Sequence, residues 1–499
     1  MSRINTNVSS LLAQRVLNQQ NKSLQTSLER LSTGLAINRG ADNPAGLIAS
    51  ENLRSEKASI SAAIGNAERA EQVINIAEGG LQEVSGLLIE LQSLVGESAN
   101  EAGLSTEERE ANQLQVDSIL QTIDRIASST SFQGTKLLNG TYDFTVSGQA
   151  STVADFSINA AKLSHNETRD VDIVVTGSAQ HGALFVSAGS SAIDLGSAGD
   201  TLVFEIAGAK GSREFSFASS TTLTDIAASV NTFTSVTGVS AVASGAVLEL
   251  KSDKLGSNSF VSFDVSDHGG LSGGTVFTAS ALNEDVIGTS GGTFASLTNP
   301  VRDDGQDISA NINGISTTSD GAAVRINTDF LDLELELSEA GSQALSSFTA
   351  FTITGGGAKF NLGPNVDITN QVSVGIANVA SRNLGSVANG FLDELGIGKG
   401  SNVVDGDVES AQKIVNSAIG QLSQLRGRLG AFQKNVIGAT IRSLGVALEN
   451  TSAAESSIRD TDFAGETAAL TRSQILVNAA TNVLGISNAT PQNVLALLG

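Results

Sequence analysis

Three histidines, His165, His181 and His268, are the only imidazoles in the chain. None lies in an H-E-x-x-H helix, the spacing that sets two imidazoles on one helical face around zinc with a glutamate as base. All three therefore read as surface histidines, and no metal site is expected. Gly396-Ile397-Gly398-Lys399-Gly400-Ser401 approaches a phosphate-cradling loop but fails twice. Asp393 stands where the first glycine belongs, and Gly400 follows Lys399 in place of Ser or Thr, so the stretch reads as a flexible connector. Asp303-Asp304-Gly305 with Asp307 follows Arg302 and lacks the alternating ligands of a calcium loop; it reads as a solvated turn. Asn139-Gly140-Thr141 and Asn166-Glu167-Thr168 fit a glycosylation pattern that chance produces often. With no cysteine, disulfides, thiolate metal sites and cysteine nucleophiles are excluded. No catalytic residue and no cofactor is expected.

The 499 residues allow two to four domains. Trp is absent, there is one Tyr, and aromatics total 4%, so aliphatic cores are expected. A formal charge of -23 argues against a nucleic-acid surface, which needs basic patches to displace counterions. No uncharged apolar run approaches the roughly 20 residues of a membrane span, and the start, Met1-Ser2-Arg3-Ile4-Asn5-Thr6-Asn7, shows no cleaved secretory signal. Composition alone describes a soluble cytoplasmic protein.

The positioning elements are helices at both ends. Ala411, Val415, Ala418, Leu422, Leu425, Leu429, Phe432 and Val436 alternate steps of four and three, a heptad seam that needs a partner helix. A stripe in shifted phase follows at Ile437, Ile441, Leu444 and Leu448, and Asp407 is a candidate cap. Near the other end, Ile60, Ala67, Ile74, Leu81, Leu88 and Val95 step by seven, beside Ala63, Ala70, Ala77, Val84 and Leu91. That pattern predicts one helix from Ala45 to about Ala99, roughly 80 Å long, with Pro44 suited to its first turn. It is expected to kink at Gly79-Gly80 unless a neighbour approaches closely there. Ser105 with Glu108 forms a capping box for a helix carrying Val116, Ile119, Ile123 and Ile126. The extremes are amphipathic too. Residues 1 to 35 carry Ile4, Val8, Leu11, Leu12, Val16, Leu17, Leu24, Leu28, Leu31 and Leu35 with a basic excess; Phe463, Leu470, Val477 and Leu484 step by seven with an acidic excess. These two ends should pair.

Between about 140 and 370 the pattern turns to period two. A hairpin is expected over Leu202 to Phe217 turning near Lys210-Gly211, then a short helix within Ser219 to Phe233, and strands at Val247 to Leu250, Phe260 to Val265 and Leu331 to Leu337. Asn313-Gly314 and Asp320-Gly321 signal hairpin turns. Residues 371 to 400 read as weak helix around Val372, Ile376 and Val379.

The ends resemble bacterial flagellin, the filament subunit. The likeness rests on Ile4-Asn5-Thr6-Asn7, Arg30-Leu31-Ser32, Ile37-Asn38, Ala45-Gly46-Leu47, Ser98-Ala99-Asn100, Ile123-Asp124-Arg125-Ile126 and Phe132-Gln133-Gly134. At the other end it rests on Arg459-Asp460, Asp462-Phe463-Ala464, Gln474-Ile475-Leu476 and Pro491 through Leu498. The segment from Ala207 to Phe263 is similar to an insertion repeat of flagellins and hook-associated proteins. The resemblance implies a secreted, extracellular flagellar filament used for swimming. It implies export through the flagellar type III apparatus on an uncleaved signal, with an export chaperone and cap and junction proteins as partners. It further implies a homopolymer lined by the paired termini, with no enzymatic activity and no membrane insertion. Some flagellins carry an H-E-x-x-H metalloprotease in the insertion; this chain shows no such motif. Flagellins that trigger the Toll-like immune receptor present an Arg, a Leu and acidic groups; aligned on Leu88 to Asn100, this chain has Glu90, Ser93, Leu94 and, further on, Gln115. That degenerate patch implies weak or no receptor activation.

The expected fold is multidomain α + β, with long terminal helices paired as a coiled-coil-like bundle and a β-rich central insertion. Residues 1–42 with 460–499 would form a terminal assembly domain, 43–175 with 370–459 a helical shaft with a β-hairpin region, and 176–369 a variable outer part. Ile60, Ile74, Leu81, Leu88, Leu422, Leu425, Leu429 and Phe432 are expected in the shaft core. Ile4, Val8, Leu11, Leu24, Leu28, Leu31, Phe463, Leu470, Val477, Leu484, Val494, Leu495 and Leu498 are expected at the assembly interface. The alternatives are a hook-filament junction protein, which shares the ends, and a surface adhesin acting through the insertion, which the near absence of Trp and Tyr disfavours.

Overall fold

A computed structural model describes residues 6–100, 102–164, 166–195, 199–271, 273–280 and 283–498, with side chains through residue 490. The helices are α1 (Val8–Thr33), α2 (Pro44–Ser98), α3 (Thr106–Ser129), α4 (Leu223–Asn231), α5 (Thr234–Thr237), α6 (Glu339–Gln343), α7 (Val408–Ala431), α8 (Gly438–Arg459) and α9 (Phe463–Leu498). The chain forms two compact units. One comprises the chain through Gln72 with 361–370 and 431–499; the other comprises 73–360 and 371–430.

In the second unit, the seven-residue steps of α2 put Ile74, Ala77, Leu81, Val84, Leu88, Leu91 and Val95 on a fully or almost fully buried face. An antiparallel neighbour is α3, whose capping box at Ser105 and Glu108 forms as expected and whose Asn112 amide donates to Ser98 Oγ at 3.1 Å. A second is α7, where Gln92 donates to Asn416 at 2.9 Å and Arg426 pairs with Glu78 at 2.8 Å. Asp407 caps α7, accepting from the Glu409 and Ser410 amides. The α2 helix, 55 residues long, runs unbroken through Gly79-Gly80. A Cβ on Gly80 would stand 2.8 Å from both Leu138 Cδ1 and Thr130 Oγ1. The glycine therefore admits a close approach by the segment that ends α3, and the expected kink is absent.

Beside this helical part, residues 144–177 and 309–356 build a two-sheet β lobe. Its five-stranded sheet runs in the order Ile315–Ser316, Ser309–Ile312, Arg169–Gly177, Ser347–Gly356, Phe144–Ser147. Its four-stranded sheet runs Thr318–Asp320, Ala323–Asn327, Leu331–Leu337, Val153–Ala161. Leu331, Leu333, Leu335 and Leu337 are buried, as alternation requires. The boundary expected at 175/176 thus falls inside a strand. Residues 183–301 form a second lobe over its own core. The hairpin Thr201–Gly208 with Gly211–Ala218, helix α4, and the strands Val247–Ser252 and Phe260–Asp267 all appear where expected. That core is mainly aliphatic, as expected, with a phenylalanine cluster at its centre. Phe204 packs against Phe215, Phe217 and Phe263 with ring centroids 4.9 to 5.9 Å apart, because the few aromatics of the chain are concentrated in its β part.

Three further expectations are corrected. Residues 371 to 400 hold the strand Gln371–Val374 and a single 3-10 turn at Leu392–Leu395 in place of a weak helix. Asp303 and Asp304 close the strand Val301–Asp304 and are not a solvated turn; burial pushes the Asp303 carboxyl up, while the Ala183 amide donates to it at 2.9 Å. Asn313 and Gly314 both take positive φ, as a type I′ turn demands, but Asp320 pairs with Ala323, so the second turn is Gly321-Ala322.

In the four-stranded sheet Glu336 lies directly opposite Asp155. Burial first, then the charges of Asp155 and Glu334, hold the Glu336 carboxyl above its usual range. A raised carboxyl penalises the fold above its folded pKa, and the penalty disappears below the unfolded value. Glu336→Gln is therefore expected to raise the melting temperature at neutral pH, with the gain vanishing by about pH 4; calorimetry at the two pH values checks this. In the helical part, Leu88→Ala is expected to cost about 2–5 kcal/mol. Exposed Ile89→Ala should stay within about 0.5 kcal/mol, read from denaturant unfolding by circular dichroism.

Candidate assembly interface

The first unit brings the two ends of the chain together. Asn7 caps α1 by accepting from the Ser10 amide, and Gly34 closes it in the left-handed conformation. The connection back to α9 is a short two-stranded contact, in which the Ala36 amide donates to Arg459 O at 2.7 Å and the Thr461 amide to Gly34 O at 2.9 Å. From there α1 and α9 run antiparallel: Asn7 donates to Ser487 O at 2.7 Å, Ser10 to Asn488 at 2.6 Å, and Arg30 pairs with Glu466 at 3.6 Å.

The buried positions of this pair are small: Ala13 and Ser27 on α1, Ser473 and Ala480 on α9. Small residues at the contact let two helix axes approach closely. Between them Leu24, Leu31, Leu470, Val477 and Leu484 are half-buried, so these five expected interface residues face inward, within one chain. Val8, Leu11, Leu28 and Phe463 are exposed, Val8 at 64%. Alongside them lie Leu12, Val16, Ile475, Leu476, Val483 and Ile486, the last at 70%. Heptad reading missed four of these because they sit on the flank of the α9 seam; the signal was apolar residues at 475, 476, 483 and 486, off the seven-residue step. Ile4 lies outside the described residues. Val494, Leu495 and Leu498 belong to α9, but their side chains are outside the description. Opposite charge plays a small part, since Arg30 to Glu466 is the one ion pair between α1 and α9 among the described residues.

The same unit holds α2 against α8. Gln433 donates to Glu71 at 3.3 Å, and Lys57 and Arg459 pair with Glu455 and Glu51 at 3.2 and 3.1 Å. Between α7 and α8, Phe432–Ile437 is a π-helical segment. Its extra residue per turn moves the buried step from Phe432 to Ile437, leaving Val436 half-buried. This is the physical origin of the shifted stripe at Ile437, Ile441, Leu444 and Leu448. The expected shaft residues Ile60, Ile74, Leu81, Leu88, Leu422, Leu425, Leu429 and Phe432 are all buried.

On the patch compared with immune-active flagellins, Glu90, Ser93 and Gln115 are exposed, but Leu94 is only 7% exposed and presents no contact surface. The glycine-rich connector follows the 3-10 turn, and Lys399 pairs there with Asp393 at 3.8 Å. Of the histidines, His165 lies outside the described residues and His268 accepts from the Gly270 amide at 3.2 Å. His181 is no surface residue: its side chain is 11% exposed, beside Glu284 and Glu339. Sequence reading missed this group because its members are more than fifty positions apart.

Residues 4–143 match the bacterial flagellin N-terminal helical region, 412–498 the bacterial flagellin C-terminal helical region, and 201–254 the flagellin hook IN motif. The chain is 29% identical to flagellin D of Vibrio anguillarum over 502 residues, covering 99% of both proteins. It is 28% identical to flagellin B of Helicobacter pylori strain J99 over 536 residues, and 28% to the B-type flagellin of Pseudomonas aeruginosa over 548, again covering 99% of each. With both terminal regions matched and the likeness running from end to end, the chain belongs to the bacterial flagellin family.

Proposed function

We propose that this flagellin, a structural subunit of the extracellular flagellar filament, polymerises by burying the outward apolar face of its α1–α9 pair against other copies. The carrying observation is the exposure of Val8, Leu11, Leu12, Ile475, Val483 and Ile486 on two helices that have already used their small-residue faces on each other. Contiguous apolar surface of this kind marks interaction sites. Each large aliphatic side chain buried contributes about 1.5–3 kcal/mol, so a few per contact, repeated along a helical lattice of heterologous interfaces, sum to a stable polymer. The termini complete their packing on association, and the subunit acts by assembly and torque transmission, without catalysis. Among the described residues no helix is long and apolar enough to cross a membrane. Delivery through the type III export apparatus with its chaperone, and partnership with cap and junction proteins, belong to this reading and are supported by the likeness to flagellins.

Salt-induced polymerisation followed by electron microscopy tests this reading. Leu12→Glu and Ile486→Glu are expected to leave monomer melting unchanged and raise the concentration needed for filaments at least tenfold. Removal of residues 1 to 35 should abolish filaments. Filaments from the truncated chain at wild-type concentration would overturn the proposal. The reversed charge at Glu90 and the burial of Leu94 also support poor recognition by the Toll-like receptor. A reporter-cell response weaker than that of a strong agonist flagellin is expected; equal potency would refute it.

A further inference from the structure

The chain crosses between the two β lobes twice, and the crossings are tied together by reciprocal bonds. Gln180 N donates to Gln306 O at 2.8 Å and Gln306 N to Gln180 O at 2.9 Å. A Cβ on Gly305 would lie 2.4 Å from Gly256 O and 2.7 Å from Gln180 O, so the backbones here pack without room for a side chain. At this junction three potential ligands converge from three elements. His181 comes from the first crossing, Glu284 from the second-lobe strand Asn283–Thr293, and Glu339 from α6 of the first lobe. One donor atom from each lies within 4.8 Å of the others.

The details suit a cation. His181 Nε2 is 3.6 Å from Glu339 Oε1 and 4.0 Å from Glu284 Oε1, beyond hydrogen-bonding reach of both. Its Nδ1 is buried without a partner, so no internal hydrogen bond fixes the ring. Glu284, with a side chain only 3% exposed, is held by the His181 amide, by Gln343 Nε2 at 3.0 Å and by Lys251 at 3.0 Å. Lys251 has alternative partners in Asp285 at 2.9 Å and Glu249 at 3.7 Å. Three carboxylates, Glu249, Glu284 and Asp285, therefore share one ammonium, and Glu339 adds a fourth beside His181, so the local formal charge is negative. Burying a carboxylate such as Glu284 is costly unless charge is matched. An ion bound at about 2.0–2.2 Å to nitrogen and oxygen in tetrahedral geometry sets its ligands roughly 3.3–3.5 Å apart. The His181–Glu339 separation of 3.6 Å is already near that value; the 4.0 Å between His181 and Glu284 closes by a small turn of the imidazole, which no hydrogen bond fixes, and the 63% exposed Glu339 side chain can follow.

We propose that His181, Glu284 and Glu339 form a zinc-type divalent metal site that staples the second β lobe to the first. One imidazole with two carboxylates suits zinc or nickel; calcium and magnesium prefer an all-oxygen shell. Lys251 keeps its bond to Asp285 and releases Glu284 when the ion enters, and water completes the coordination.

The test uses metal-stripped full-length monomer titrated with zinc by calorimetry, with cobalt absorption as a geometric readout. One ion per chain, a tetrahedral cobalt spectrum and a zinc-dependent rise in melting temperature are expected. Glu339→Gln, at an exposed position that leaves the fold intact, and His181→Ala should each weaken binding at least tenfold and remove the melting shift; His268→Ala should change nothing. Absence of binding to the wild-type chain would overturn the site. So would unchanged affinity in Glu339→Gln, or loss of binding in His268→Ala.

Discussion

Close contact between α1 and α9 through Ala13, Ser27, Ser473 and Ala480 is the constraint on which the proposed assembly depends. Small residues bring the backbones together, but they cover little apolar surface. The pair is held in register mainly at its ends, by Asn7 and Ser10 reaching Ser487 and Asn488 and by Arg30 reaching Glu466. The large side chains Val8, Leu12, Ile475 and Ile486 are left facing outward. A helix pair that spends its small face on itself keeps its greasy face for a partner. In the proposed assembly, a filament subunit that polymerises through this face draws on this division of labour. The chain's net charge of -23 adds long-range repulsion that short-range apolar contact must overcome.

The helical part behaves differently because its apolar stripes are satisfied within the chain. Along α2 the buried side chains alternate between small and large, Ala70, Ile74, Ala77, Leu81, and the polar contacts Gln92–Asn416 and Arg426–Glu78 set the register of the antiparallel α7. The π-helical segment at Phe432–Ile437 rotates the buried face by the one residue it adds, so a continuous helix presents one stripe before it and another after it. Such segments occur often at functional positions, and here the rotation falls where the chain passes from one compact unit to the other.

Much of this was legible in the residues themselves. Heptad steps located α2 and α7, the Ser105–Glu108 capping box and Pro44 placed helix starts, and leucine alternation from 331 to 337 placed a strand with the correct buried face. The weak helix expected at 371 to 400 was wrong because three apolar residues at helical spacing, Val372, Ile376 and Val379, instead pack from a strand and an irregular segment; local periodicity that short cannot resist tertiary pairing. The phenylalanine cluster within the aliphatic core of the second lobe is not visible in whole-chain composition, which averages over a phenylalanine-poor helical part. Least legible was long-range convergence. Leu94 carries a familiar motif position yet points inward, and His181 meets Glu284 and Glu339 only because two β lobes fold against each other.

The absence of cysteine gives a direct probe of the central claim, since a single thiol can be introduced at any chosen position. Maleimide labelling of Leu12→Cys and Ile486→Cys, compared with Ala480→Cys, should be fast in the monomer at the two outward positions and slow at the buried one. In assembled filaments all three should be slow. Labelling at Leu12→Cys and Ile486→Cys that stays equally fast in monomer and filament would contradict the account, because the outward face of the α1–α9 pair would then have no partner in the polymer.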